Sequence, residues 1–132
     1  MNNVAAYGAK TTDAVMEPLT IERRKPTADD VDIEILYCGV CHSDLHIARN
    51  DWGFTEYPLV PGHEIVGRVV EVGSNVAKHK AGDIVAVGCL VDSCRTCGSC
   101  ADGFEQYCET GGMVGTYGSR DPKYCLLYTS PS

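Results

Sequence analysis

The chain has no surplus of basic residues. Eleven lysines and arginines stand against 18 aspartates and glutamates, and the net charge of −7 argues against a nucleic-acid backbone or an anionic membrane surface as partner. No apolar run approaches the roughly 20 residues that a membrane span needs. The opening Met1-Asn2-Asn3-Val4 lacks the basic start and apolar core of a secretory leader, so a cytoplasmic protein is expected. Internal repeats and low-complexity segments are missing too, which excludes solenoids and linker-like chains. Eight cysteines in a chain without a leader point to metal ligation more than to disulfides.

What is present suits one domain, or a piece of one, in 132 residues with 44% hydrophobic composition. Fourteen glycines and six prolines, spread along the chain, favour strands and turns over long helices. Residues 4–7 are short and apolar, as an edge strand would be, and 19–23 alternate apolar and polar. After a turn at 26–30, Val31, Ile33, Ile35 and Tyr37 fall on one side of a strand, with Asp32 and Glu34 on the other. Residues 42–49 lack helix breakers and predict a short helix. A loop over 50–61 carries Trp52, Phe54 and Tyr57. Beyond it Ile65, Val66, Val69, Val70 and Val72 form a β-branched run, in which Gly67 suggests a bulge or a barrel bend. Residues 84–87 are a further strand. The pattern is mainly β, a barrel or sandwich of short strands.

Two clusters carry chemistry. Cys41-His42-Ser43-Asp44-Leu45-His46 packs a thiol, two imidazoles, a hydroxyl and a carboxylate into less than two helical turns, and Gly62-His63-Glu64 follows downstream. Cys41, His63 and Glu64 are three candidate legs of a zinc site, leaving room for water or substrate as a catalytic zinc requires. The plain alternatives are a buried small thiol at Cys41 and a surface imidazole at His63. The second cluster is Cys94, Cys97, Cys100 and Cys108, whose spacing suggests a closed, structural tetrathiolate zinc in a loop lobe over 89–110. An iron–sulfur cluster is the competing reading, although the fourth cysteine is distant and precedes Glu109 where such runs continue with proline.

Taken together, Cys38-Gly39-Val40-Cys41-His42-Ser43-Asp44-Leu45-His46, Pro61-Gly62-His63-Glu64-Ile65-Val66-Gly67, Gly82-Asp83-Ile84-Val85-Ala86-Val87-Gly88-Cys89 and the four-cysteine lobe resemble the zinc-dependent medium-chain alcohol dehydrogenases. The likeness is to the cinnamyl-alcohol-dehydrogenase and aldehyde-reductase branch and extends to about Arg120. It implies a GroES-like β-barrel catalytic domain followed by a Rossmann coenzyme domain. No Gly-x-Gly-x-x-Gly follows a strand in this chain, so the expectation is a partial GroES-like domain over 1–124 with the Rossmann domain absent, inactive by itself. The last eight residues, 125–132, are similar to one reading frame of a sequencing-library adapter, the alternative being a genuine strand over 124–128.

The resemblance also implies roles. Cys41 and His63 ligate a catalytic zinc, Glu64 binds or releases it, and Cys125 does not complete the site. Cys38 and Cys89 are expected as packed strand thiols. Ser43 hands on the alcohol proton and His46 is the general base, against the alternatives of a helix N-cap and a surface histidine. Asp44 orients a ligating imidazole, or is an exposed helix carboxylate. His42 and Ser43 meet the cofactor, Trp52 lines the substrate pocket or anchors its loop, and NADP(H) is favoured over NAD(H). The implied substrates are small aldehydes and primary alcohols, and the implied assembly is a homodimer or higher. A reading from a different class keeps the fold and loses the enzyme: a non-catalytic zinc-binding β-barrel that serves as an interaction module.

Overall fold

The structure, a computed structural model, describes residues 2–120; the expectations for 124–128, Cys125 and the 125–132 tail lie outside them. It is mostly strand. β1 (Asn2–Gly8) pairs antiparallel with β2 (Glu17–Arg23), β3 (Val31–Gly39) with β4 (Glu64–Val72), and β4 with β5 (Ile84–Val87). Two short strands, β6 (Leu90–Asp92) and β7 (Val114–Gly115), form a third sheet, and helices α1 (His42–Ala48) and α2 (Gly98–Ala101) complete the order with a 3-10 turn at Glu105–Tyr107. The strands lie in separate sheets of two, three and two members, with no closed barrel among the described residues. None of the described helices is long and apolar enough to cross a membrane.

The expected alternation holds in β2, where Leu19 and Ile21 turn inward and pack with Val4, Ala6 and Val60. It also holds through the first half of β3 and then fails. Ile33 and Ile35 pair with Val69 and Gly67, but Tyr37 pairs with Val66 because Leu36 is an extra, bulged residue. One added residue exchanges the faces of a strand. Tyr37 is accordingly 74% exposed instead of sharing the inner side with Ile35. A second irregularity, between Asp32 and Ile33, leaves Val70 extra on β4.

Gly67 itself is not the bulge. It pairs regularly with Ile35 and Val85, and a Cβ there would run into Ile33 Cγ2 and the Glu34 carbonyl, so glycine is needed for close approach of the strands. Cys38 and Cys89 also correct an expectation: both are exposed, Cys38 near the end of β3 and Cys89 between β5 and β6.

The turn before β3 is held by Asp30. Its carboxylate accepts Arg24 Nη2 at 2.8 Å, the Thr27 amide at 2.6 Å and the Thr27 hydroxyl at 2.7 Å. Arg24 above all, with the Thr27 donors, holds the Asp30 carboxyl well below the usual carboxylate range against the opposing effect of burial. A depressed folded-state value stabilises the fold above the unfolded value of about 3.9 and is lost as pH falls through the folded one. Asp30→Asn should therefore cost about 1–3 kcal/mol at neutral pH. Urea titrations compared from pH 7 downward should show that gap intact to about pH 4 and closing in stronger acid. A gap that grows on acidification would contradict the assignment.

Candidate metal centres

The first centre is assembled by the start of α1. Cys41 is its N-cap, in extended backbone geometry (φ −103°, ψ 156°), and Asp44 Oδ2 reaches back to accept the Cys41 amide at 2.8 Å, a reciprocal capping box. The N-cap is thus Cys41 and not Ser43. His63 and Glu64 arrive from the other side, on the approach to and first residue of β4. Ligand atoms of Cys41, His63 and Glu64 all lie within 4.8 Å of one another. Gly39 makes room for the carboxylate: it pairs with Glu64 across the ladder, and a Cβ there would land on the Glu64 side chain. The Ser43 amide foremost, then His63 and the Ser43 hydroxyl, pull the Cys41 thiol below its ordinary value, favouring the thiolate that binds metals. Ser43 Oγ is 3.6 Å from that sulfur.

Asp44 is no exposed helix carboxylate. It is only 8% exposed, one oxygen is committed to the Cys41 amide, and the other, Oδ1, is buried without a hydrogen-bond partner. It makes no hydrogen bond to His63 in this structure. Against His63 lies instead the ring of Tyr117, centroids 5.4 Å apart. Tyr117 was not singled out by any local motif, since its contacts bring together segments far apart in sequence.

α1 ends in a Schellman turn. Asn50, at φ 56°, sends its amide to the Ile47 carbonyl, and the Asp51 amide bonds the His46 carbonyl at 2.9 Å. That turn folds Asp51 back over its own helix, where Oδ2 meets His46 Nδ1 at 2.7 Å. His46 stacks between His42 and Trp52, at 4.7 and 5.5 Å, and Trp52 stacks on Phe54 at 5.9 Å. The i, i+4 spacing puts the two histidines on one helix face. Thr55 and Tyr57 hydroxyls bond the Ile47 and Ala48 carbonyls at 2.6 and 2.7 Å and pin the aromatic loop to the helix end. An asparagine just past a short helix was the signal for this turn, and it identifies Asp51 as a residue the sequence reading missed.

The second centre is the four-cysteine lobe. Sulfurs of Cys94, Cys97, Cys100 and Cys108 lie within 4.8 Å of one another, and the seven cysteines of the described chain are all unpaired. Cys94 and Cys100 sulfurs are 3.8 Å apart, where a tetrahedral zinc with bonds of about 2.3 Å requires roughly 3.8 Å. Backbone amides of Thr96 and Cys97 donate to Cys94 Sγ, that of Glu109 to Cys97 Sγ, and that of Cys94 to Cys108 Sγ. Those at Thr96 and Cys97 bring the Cys94 thiol down to about 5. The Ser93 hydroxyl favours the Cys100 thiolate, but burial and the sulfurs of Cys97 and Cys108 outweigh it and push that thiol up to about 11. Four sulfurs this close together are a donor set suited to a single thiophilic cation. A cage this narrow fits a single ion, because cysteines around several irons must stand apart to straddle the cluster. Leu90 pairs with Gly115 and the Thr116 amide bonds the Cys89 carbonyl, so the lobe leaves and rejoins the body at one neck.

Residues 27–125 match the alcohol dehydrogenase GroES-like domain. The chain belongs to that family. Among curated proteins it is 56% identical over 119 residues to aldehyde reductase YahK of Escherichia coli K12, covering 90% of this chain and 34% of that protein. It is 54% identical over 116 residues to cinnamyl alcohol dehydrogenase 2 of Rauvolfia serpentina, covering 86% and 32%. The chain therefore spans about a third of the length of these relatives. Among solved structures, this GroES-like domain superposes on the cinnamyl alcohol dehydrogenase SbCAD4 of Sorghum bicolor with a TM-score of 0.93 at 41% identity, covering 98% of this chain and 36% of that one. The Helicobacter pylori enzyme complexed with NADP(H) gives 0.91 at 38% identity, covering 98% and 38%. These relatives place it in the aldehyde-reductase and cinnamyl-alcohol-dehydrogenase branch of the zinc-dependent medium-chain alcohol dehydrogenases.

Proposed function

We propose that this GroES-like domain is the metal-bearing part of an enzyme that interconverts aldehydes and primary alcohols by hydride exchange with NADP(H). The observation that carries the proposal is the convergence of Cys41, His63 and Glu64 from two separated segments. Cys94, Cys97, Cys100 and Cys108 would hold a second, structural zinc, their donor set being four sulfurs and nothing else. Zinc held by Cys41 and His63, with Glu64 exchangeable, supplies Lewis acidity toward the substrate oxygen. The choice of NADP(H) is supported by the complex of the Helicobacter pylori relative.

The remaining roles belong to the chain's own side chains. Ser43 stands beside the Cys41 sulfur, where its hydroxyl passes the alcohol proton onward. His46 lies three residues on, across one turn of the same helix, and receives it as general base. Asp51 occupies its Nδ1, so Nε2 is the nitrogen that exchanges the proton with solvent. Asp44 holds the Cys41 amide and so fixes where the sulfur points. His42 meets the cofactor phosphates. Trp52, with Phe54 stacked on it, is an apolar wall suited to an aryl or medium-chain aldehyde. The whole enzyme works as a homodimer or a larger assembly.

The test is metal stoichiometry together with turnover. The chain should bind two zinc ions, and Cys41→Ala should bind one, with the four-cysteine centre retained. In the whole enzyme the same substitution should lower kcat/KM for NADPH-dependent aldehyde reduction about a thousandfold, the equivalent of several kcal/mol. Two ions still bound by Cys41→Ala, or unchanged turnover, would refute the assignment.

A further inference from the structure

Two polar atoms stand out in the described structure because they are buried with no hydrogen-bond partner: Asp44 Oδ1 and the Tyr117 hydroxyl. Their residues are 8% and 5% exposed. Orphaned groups of this kind each cost about 1–3 kcal/mol when nothing meets them, so native folds seldom leave two. These two belong together. Both border the same centre, Asp44 on the Cys41 amide and the Tyr117 ring against His63, yet no direct hydrogen bond joins them. A small closure, or one bridging water with these two partners and little else, would satisfy both.

Each end of the pair leads to a different candidate ligand. From Asp44, the other carboxylate oxygen accepts the Cys41 amide at 2.8 Å. From Tyr117, the ring lies 5.4 Å from that of His63. Tyr117 sits just past β7, on the segment whose Thr116 hydroxyl bonds the Gly88 carbonyl and whose Thr116 amide bonds the Cys89 carbonyl. It is therefore anchored to the segment just past β5, whose last residue, Val87, pairs with Ile65 two residues beyond His63. We infer that Tyr117 is a positioning residue: its hydroxyl, through Asp44, and its ring, against His63, set the separation of the Cys41 sulfur from the His63 imidazole.

This inference rests on the metal reading above for its consequence but not for its geometry, and the experiment separates the two. Tyr117→Phe keeps the ring and removes the hydroxyl. In the metal-free chain, hydrogen exchange at the Cys41 amide should quicken about tenfold, because Asp44 loses its second anchor, while the amides of Ile35 and Gly67 in the β3–β4 ladder stay as slow as in the parent. The expected change is absent in an Asp44→Ala background, where the hydroxyl has nothing to act through. With Co(II) as probe, the affinity at Cys41 and His63 should fall about 10-fold or more, as it does for lost outer partners of metal ligands, and the four-cysteine absorption should be unchanged. Unchanged exchange at Cys41 in Tyr117→Phe overturns the inference whatever the metal does. So does exchange quickened equally at Cys41, Ile35 and Gly67, which marks general loosening. A parent chain that takes up Co(II) only at the four cysteines refutes the metal reading and leaves the exchange result to decide the inference.

Discussion

Cys100→Ser is expected to abolish metal binding by the four-cysteine lobe and, with it, the order of the lobe. Cys100 is the buried member of the set, and against the opposing Ser93 hydroxyl, burial with the sulfurs of Cys97 and Cys108 pushes its thiol up to about 11, so a bound cation would favour its thiolate. A structural zinc in a small metallo-domain is worth about 10–16 kcal/mol of apparent binding energy at neutral pH, far more than two short helical turns can supply. What else holds the lobe is slight: α2 is four residues long, the 3-10 turn three, and Glu109 Oε1 caps the Ser99 amide and hydroxyl at 3.2 and 2.6 Å. Hydrogen exchange should show the amides of Thr96, Cys97 and Glu109 losing protection altogether, and the zinc content should fall by one ion per chain. The ladder between β3 and β4 should keep its protection, because the lobe is tied to the body through the β6–β7 neck and not through that ladder. A chelator strong enough to strip both centres should reproduce the loss in the parent. Retained protection at Cys97 in Cys100→Ser would show that the fold of the lobe does not need its metal.

The second large effect is expected at Gly67. The strand crossing there leaves no room for a side chain: the first added carbon meets Ile33 Cγ2 and the Glu34 carbonyl, and neither is the far end of a flexible chain. Gly67→Ala should cost about 1–3 kcal/mol, the usual range for overpacking a tight core. Gly67→Val should exceed it, since β-branching enlarges the collision although valine suits strands in general. Thermal unfolding measures both. The shift should be larger for valine than for alanine, the order opposite to that of strand propensity. If valine proved the milder change, the close approach of β3 to β4 at this point would be wrong.

Both expectations depend on features with very different visibility in the sequence. The tetrathiolate was plain because three of its cysteines fall within seven residues and a metal cage of this type is a local object. The strand at 19–23 was plain because burial on one side writes a period of two into the chain, and that at 84–87 because a short apolar run follows the Gly82-Asp83 turn. β3 was readable only as far as Ile35. Beyond it the bulge at Leu36 adds a residue that alters no residue type, so counting from the strand start carried Tyr37 to the wrong side. β6 and β7, three and two residues long, are below the length at which periodicity means anything. Gly67 could be seen as special but not why, since the reason lies on Ile33 and Glu34. Asp44 illustrates the same limit at the site. Its place beside Cys41 suggested a partner for a ligating imidazole or an exposed helix carboxylate, whereas its hold on the Cys41 amide and its burial come from packing that no window of sequence contains.

The neck of the lobe has a consequence for how a chain of this family can vary in length. Because Leu90 and Gly115 are already partners, whatever lies between them is a loop whose ends are fixed in advance. The entropy of closing such a loop grows only with the logarithm of its length, about 0.6 kcal/mol for each doubling. Segments inserted between Cys100 and Cys108 would therefore burden the fold very little, provided the four sulfurs still reach one ion. The same addition between Gly39 and Cys41 would push the thiol away from His63 directly. Tolerance to insertion and tolerance to substitution are thus distributed in opposite ways along this chain: the stretch richest in obligatory cysteines is also the one best able to grow.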